Sequence, residues 1–324
     1  MSSEEEAAAP RVAGARVAEP VRSAREGRGA APTFVFVLGT GRCGSTLVEE
    51  VLARHPHTGF VSNLQDNIRA LARRGRWNSP VYRRLPVGAT RKGGIRYAPS
   101  EAYSALGREV SSVFAEPFRD LVAADVTPWL AQRFRAFFVE GARNQGKPVY
   151  VHKFTGWPRA GFIQAVLPEA RFIHIVRDGR AVANSWLQMD WWRGYGGPGR
   201  WQWGPLSPAD EAEWAEHGRT FPGLAAILWR LLMRAFDQAS PGIAPERWLE
   251  LRYEDVVADP KGTFASMLSF SGLEPDPAFD RSLARYSFSA GRAEAFRREL
   301  RPEDLASMSK MLAEDLARRG YSPD

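Results

Sequence analysis

The segment Phe34-Val-Phe-Val-Leu-Gly-Thr-Gly-Arg-Cys-Gly-Ser-Thr-Leu47 constrains this chain more than any other stretch. A run of β-favouring apolar residues ends at Gly39, glycines recur at positions 41 and 44, and Ser45-Thr46 open a helical pattern. A buried strand, a glycine turn and a helix N-terminus together cradle phosphate, because backbone N–H groups and the helix dipole both face the anion. From Gly39 to Gly44 the spacing approaches Walker A, G-x-x-x-x-G-K-[ST], yet Ser45 stands where that motif has lysine, and a cation comes earlier, at Arg42. Without the lysine that grips β- and γ-phosphates, the loop points away from ATP hydrolysis.

At 324 residues, 44% hydrophobic and 25% charged, the chain has the length and make-up of a soluble globular protein with a large core. It has no uninterrupted apolar run of about 18 residues, so no membrane span is expected, and its N-terminus has no apolar region of the secretory kind. The single cysteine, Cys43, excludes an internal disulfide and a cysteine-only metal cage, and suggests a reducing, cytoplasmic setting. The net charge of +7 comes almost wholly from arginine and reads either as composition bias or as a field for anionic ligands. No cationic run resembles a nucleic-acid arm. Residues 1–32 hold few large apolar groups and balance five acids with five arginines, so a disordered tail is expected, with one domain over 33–324.

From Thr33 the pattern is α/β: a three-layer arrangement with a central, mainly parallel sheet flanked by helices. Strands are expected at 34–38, 148–152, 171–176 and 248–253. Helices are expected at 45–54, 61–74, 127–144, 159–167, 178–188, 209–239 with a break near Pro222, and 302–319. Residues 75–99, rich in Gly, Arg and Pro, read as a long loop.

Ligands of a parallel α/β sheet sit beyond the carboxyl ends of its strands. Three expected strand ends carry polar content: Gly39–Thr46, Lys153 after Val149-Tyr-Val-His152, and Arg177-Asp-Gly-Arg180 after Phe172–Val176. If these strands are neighbours, Arg42, Lys153 and Arg177 converge on one rim, where a multiply charged phosphate ligand would satisfy them. Cys43 fills a tight loop or, at a helix N-terminus, is a reactive thiol. His174, inside an apolar strand, suits a hydrogen-bonded core histidine, while Asp178 and Glu254-Asp255 suit helix caps. Trp186–Trp214 contains six tryptophans, and Trp191, Trp192, Trp201 and Trp203 lie among glycines and prolines. They line an acceptor pocket or form a satellite core.

The pairing of Gly39-Thr-Gly-Arg-Cys-Gly-Ser-Thr-Leu47 with Arg177-Asp-Gly-Arg-Ala-Val-Ala-Asn-Ser185 resembles the sulfotransferases that use 3′-phosphoadenosine 5′-phosphosulfate (PAPS). The resemblance spans roughly residues 33–320 and implies a P-loop-like fold and sulfuryl transfer to a hydroxyl or amine of a small-molecule, lipid or carbohydrate acceptor. It implies that Thr40, Gly41, Arg42, Cys43, Gly44, Ser45 and Thr46 hold the 5′ group, and that Arg177 and Ser185 hold the 3′-phosphate. Leu251-Arg-Tyr-Glu-Asp255 resembles a strand end whose tyrosine, here Tyr253, touches adenine. Tyr286-Ser-Phe288 resembles a later adenine-contacting segment, which brings in Phe288. Gly291-Arg-Ala-Glu-Ala-Phe-Arg297 resembles the loop that closes over the nucleotide, which brings in Arg292 and Arg297. No metal is required for this chemistry.

Charge develops on the 5′-phosphate oxygen during such a transfer, and Arg42 and Lys153 are the cations expected to stabilise it. The base is less legible. Cytosolic members of the family place a histidine two residues after the strand-end lysine, where this chain has Thr155. Protein-tyrosine members place a glutamate soon after the His-Pro that follows the first helix, a region that here reads Phe60-Val-Ser-Asn-Leu-Gln-Asp66. Asp66 and then His152 are the candidates. Two other functions fit part of the pattern: a P-loop nucleotide or sugar kinase, and a nucleotide-binding protein that has lost catalysis.

Overall fold

Five parallel strands form one sheet in the order β2-β3-β1-β4-β5. They are β1 (Thr33–Gly39), β2 (Thr58–Gly59), β3 (Val149–Thr155), β4 (Arg171–Val176) and β5 (Trp248–Arg252). The computed structural model describes residues 31–68, 75–90 and 97–322. The expected disordered tail falls outside the described residues except for its last two positions. Of the helix expected at 61–74, Asn63–Asn67 is helical and ends at the extended Ile68, and 69–74 lie outside the described residues.

The central strand is the most apolar: from Phe34 to Leu38 every residue of β1 is buried, as continuous hydrophobic runs are in parallel sheets covered on both faces. Phe36 stacks on Phe154 of β3 and Phe172 of β4, with ring centroids 6.1 and 6.0 Å apart. Over this face lies the helix Pro128–Gln145, whose Phe138 ring is 5.2 Å from Phe36 and 5.0 Å from His152. Thr127 caps that helix by accepting from Leu130 N, Pro128 occupies its first turn, and Gly146 ends it in a left-handed conformation. The helix Phe221–Ala239 covers the β4 side, where Phe236 stacks on His174 at 3.9 Å. On the opposite face the helix Ser45–Leu52 returns from β1 and packs against β3.

Two expectations need correction. Residues 75–99 are not one long loop: Asn78–Arg84 is helical. Its sequence carries little helical signal, and tertiary contacts hold it. Tyr82 is buried 4.0 Å beneath the Arg54 guanidinium, and Asn78 Nδ2 donates to Phe60 O at 2.9 Å. The strand expected at 148–152 runs on to Thr155, so Lys153 lies inside β3 rather than after it. The break expected near Pro222 occurs just before it. The helix Pro208–Glu216 ends, and Pro222 enters the first turn of the next helix.

Phe138 is the ring on which Phe34, Phe36, Phe134, Tyr150 and His152 converge. Phe138→Ala should lower the unfolding free energy by about 3–5 kcal/mol, the usual loss for a buried aromatic. A urea melt with an unchanged slope and a lower midpoint would show it.

Candidate active site

Strand order settles which polar groups meet. β1 lies between β3 and β4, so the ends of these three strands adjoin, with Gly39 opposite Thr155. Such adjoining carboxyl ends at the middle of the sheet are where α/β proteins open a crevice. A cleft of about 720 Å³ occupies that place.

The first wall is the loop after β1. Gly41 (φ 81°), Arg42 (φ 56°) and Gly44 (φ 95°) all take left-handed conformations. Gly44 has a second constraint: a Cβ there would lie 2.3 Å from the Tyr253 ring. Gly39 likewise has no room, because its Cβ would meet Cys43 Sγ at 2.4 Å. Cys43 is fully buried and does not line the cleft; its thiol packs beneath the loop. Thr40, Gly41, Arg42, Gly44, Ser45 and Thr46 all line it.

The second wall is cationic. Arg177, Arg292 and Arg42 line the cleft together. Arg177 Nη1 donates to Arg42 O at 2.9 Å, its Nη2 donates to Arg292 O at 2.5 Å, and its guanidinium lies 4.7 Å over the Tyr253 ring. Arg177 Nε is buried with no hydrogen-bond partner. Burial, and then repulsion from Arg177 and Arg292, hold the Arg42 guanidinium below its ordinary pKa. Ser185 does not line the cleft, and the structure joins it to Arg177 only indirectly: Arg42 Nε donates to Ser185 Oγ at 2.9 Å.

Lys153 sits behind the loop. Its Nζ donates to Thr46 Oγ1 at 2.7 Å and pairs with Glu101 at 2.9 Å and Glu49 at 4.0 Å. Burial would pull this ammonium down, but the Glu101 and Glu49 carboxylates outweigh it and hold its pKa above the ordinary lysine value.

Four expected residues lie elsewhere. Asp66 spends both carboxylate oxygens on the chain: Oδ2 accepts from Ser100 Oγ at 2.9 Å and Oδ1 from Ala105 N at 2.8 Å. His152 faces away from the cleft, since side chains one residue apart in a strand point to opposite faces. It is buried among Phe36, Phe138 and Phe154, with neither ring nitrogen hydrogen-bonded. Phe288 packs on Phe264 and lines a separate hollow with Tyr286. Arg297 lies over Phe296 and outside the cleft. Other readings match the geometry: His174 Nδ1 is 3.0 Å from Glu250 Oε2, and Asp178 caps the helix Gly179–Leu187 through Arg180 N.

Several lining residues carried no signal in the sequence: Glu101, Tyr103, Glu116 and Arg159. Of these, Arg159 is structural, bonding the carbonyls of Thr155, Trp157 and Phe114. The tryptophans divide. Trp186, Trp192, Trp201 and Trp214 are buried, with Trp186 stacked on Trp192, whereas Trp191 and Trp203 line the cleft. Gly156 lies under the Trp203 ring, and a Cβ there would come within 2.7 Å of it.

A family model described as the sulfotransferase family matches residues 32–277. The chain belongs to the sulfotransferase family. Two curated relatives, the omega-hydroxy-beta-dihydromenaquinone-9 sulfotransferases Stf3 of Mycobacterium bovis and Mycobacterium tuberculosis, are each 27% identical over 162 residues. The match covers 48% of this chain and only 37% of each relative. Among solved structures, sulfotransferase STF9 from Mycobacterium avium superposes with a TM-score of 0.52 at 15% identity, covering 90% of this chain and 77% of that one, and so shares the fold. Among the described residues, no helix is long and apolar enough to cross a membrane, and no His, Cys, Asp or Glu cluster is set to hold a metal.

The placement of His152 has a pH consequence. Burial, with help from Lys153 and Arg159, lowers its pKa from 6.5 to about 3. Between those values the unfolded imidazole binds a proton that the folded one refuses, so stability falls as pH falls through this window. His152→Phe should flatten that fall. Urea melts at pH 7.5 and 5.0 should show a smaller loss of unfolding free energy in the variant than in the wild type.

Proposed function

We propose that this chain transfers a sulfuryl group from PAPS to a hydroxyl or amine of a small-molecule, lipid or carbohydrate acceptor, by in-line displacement. The observation that carries this reading is the arginine cluster: Arg42, Arg177 and Arg292 share one cleft wall, where burial and then repulsion from the other two depress Arg42. Such a wall is complete only with an anion against it. Arg177 presents its guanidinium on that wall with no carboxylate paired to it by hydrogen bond. The glycine loop at the N-terminus of the helix Ser45–Leu52 is a second anion site in the same cleft. A donor with phosphates at both ends fits two such sites, whereas a Walker nucleotide calls for a lysine where this chain has Ser45.

The donor supplies an activated sulfuryl group whose leaving oxygen belongs to the 5′-phosphate. In this reading the loop residues Thr40–Thr46 hold that phosphate, with Arg42 and Lys153 stabilising the charge that grows on it. Arg177 and Arg292 take the 3′-phosphate, with Ser185 orienting Arg42 from behind. Tyr253, its ring held between Gly44 and the Arg177 guanidinium, lines the cleft and offers the edge left open there to the adenine. Trp191 and Trp203 are walls for the acceptor.

Thermal denaturation tests the donor. 3′-Phosphoadenosine 5′-phosphate (PAP) at about 100 times its Kd should add about 2.7 kcal/mol of stability, and ATP with Mg²⁺ should add none. The reverse pattern would establish the kinase alternative. Arg177→Ala should weaken PAP binding about tenfold or more, as the loss of charge-assisted hydrogen bonds worth roughly 1.5–3 kcal/mol requires. Isothermal calorimetry reads this directly.

A further inference from the structure

We propose that Glu101 is the general base of the transfer and that Asp66 is the positioning residue that holds it there. The inference rests on the sulfuryl-transfer reading above and goes beyond the bases found at the family's two usual places, neither of which this chain retains.

Four observations converge on Glu101. It lines the cleft, and its side chain keeps 27% of its surface exposed there. Its carboxylate is 2.9 Å from Lys153 Nζ, which in turn is 2.7 Å from Thr46 Oγ1 in the phosphate loop. One ammonium thus separates the carboxylate from the place where the leaving phosphate is held. Thr155 Oγ1, at the end of β3, donates to Glu101 Oε1 at 3.2 Å and fixes the side chain from a second direction. Finally, the backbone is strained beside it. Ala102, buried and not glycine, has φ 54°, a conformation disfavoured for residues with a Cβ and one that surrounding structure must enforce.

Asp66 supplies that enforcement. Its two oxygens grip Ser100 Oγ and Ala105 N, on either side of Glu101 and Ala102. Ser100 Oγ also accepts from Ala102 N at 3.1 Å, and Ser100 N donates to Val61 O at 2.9 Å. The turn Ser100-Glu101-Ala102 is therefore bracketed, and the one side chain left to point into the cleft is the carboxylate. Glu116, the other carboxylate on the cleft wall, is exposed and has no bond to Lys153 or to the loop.

The step balances. The acceptor's O–H or N–H proton passes to a Glu101 carboxylate oxygen as the acceptor atom forms its bond to sulfur. The sulfur–oxygen bond to the donor's 5′-phosphate breaks, and its electron pair stays on that phosphate oxygen. Protonation neutralises Glu101 and leaves Glu49, at 4.0 Å, as the carboxylate against Lys153, so more of the ammonium's charge acts on the side facing Thr46, where negative charge is growing. The same ammonium couples deprotonation of the acceptor to departure of the leaving group.

The experiment uses the full chain and Glu101→Gln, which keeps the side chain's shape and removes its charge. Calorimetry with PAP comes first: the variant should bind as tightly as the wild type or several-fold tighter, because Lys153 loses a competing anion. Turnover comes next, as PAP formed from PAPS with water or a simple aliphatic alcohol, neither of which ionises in the range studied, as acceptor. Glu101→Gln should lose about 10²-fold or more, the usual share of a general base, and the acidic limb of the wild-type pH–rate profile should disappear. Asp66→Asn should lower kcat yet keep that limb, and Glu116→Gln should keep it too. Loss of PAP binding in Glu101→Gln would make Glu101 a structural prop and overturn the proposal. So would turnover within about threefold of wild type, or a limb removed by Glu116→Gln instead. A wild type that binds PAP but forms none from PAPS at any pH would overturn the sulfotransfer reading itself, and with it this one.

Discussion

The buried ammonium of Lys153 joins three separate pieces of chain: strand β3 on which it stands, the helix Ser45–Leu52 through Thr46 and Glu49, and the turn that carries Glu101. A buried cation is costly without partners, and removing one member of such a cluster leaves the others uncompensated. The cluster is thus worth more to the geometry of the site than to net stability. It fixes where the glycine loop after β1 stands relative to the turn at Ser100–Ala102. With two carboxylates against one ammonium, it also leaves a net negative charge beside the cleft.

The arginine wall works by the opposite imbalance. Arg42, Arg177 and Arg292 crowd together; Arg177 is held by the carbonyls of Arg42 and Arg292 and the Tyr253 face, and the Glu299 carboxylate is near enough to Arg292 to feel its charge. Carbonyl oxygens orient a guanidinium without neutralising it, so the wall keeps its field for a ligand. Glycine makes this crowding possible. Gly44 admits the Tyr253 ring against the loop, and that ring in turn lies under Arg177. The two halves of the cleft therefore differ in kind: one holds unneutralised cations, and the other holds a cation already balanced by acids.

Much of the scaffold was legible because its signals are local. The apolar runs at 34–38 and 171–176 are strands, the glycines after Leu38 turn the chain, and Thr127-Pro128 starts a helix, all from residues within a few positions of each other. The failures share a cause. Asn78–Arg84 is helical because Tyr82 and Asn78 are gripped from elsewhere, and β2 is a two-residue strand recruited by β3. His152 was a natural suspicion at an expected strand end, but a single residue of strand parity turns it into the aromatic core while Lys153 faces the site. Asp66 is the first candidate base in the sequence, but its carboxylate faces Ser100 and Ala105, not the cleft.

The sequence by itself determined that a glycine turn leads from an apolar strand into a helix of a parallel α/β sheet, that Ser45 stands where Walker A has lysine, and that Arg177 follows the strand at 171–176. Those facts are written in contiguous residues and in the order of motifs. Only the tertiary structure decided which tryptophans line the cleft and which build core, that Arg292 joins Arg42 and Arg177, and that Glu101 meets Lys153. Those pairs are separated by long stretches of chain, and they come together only because β1 is threaded between β3 and β4, a consequence of packing that no local pattern encodes.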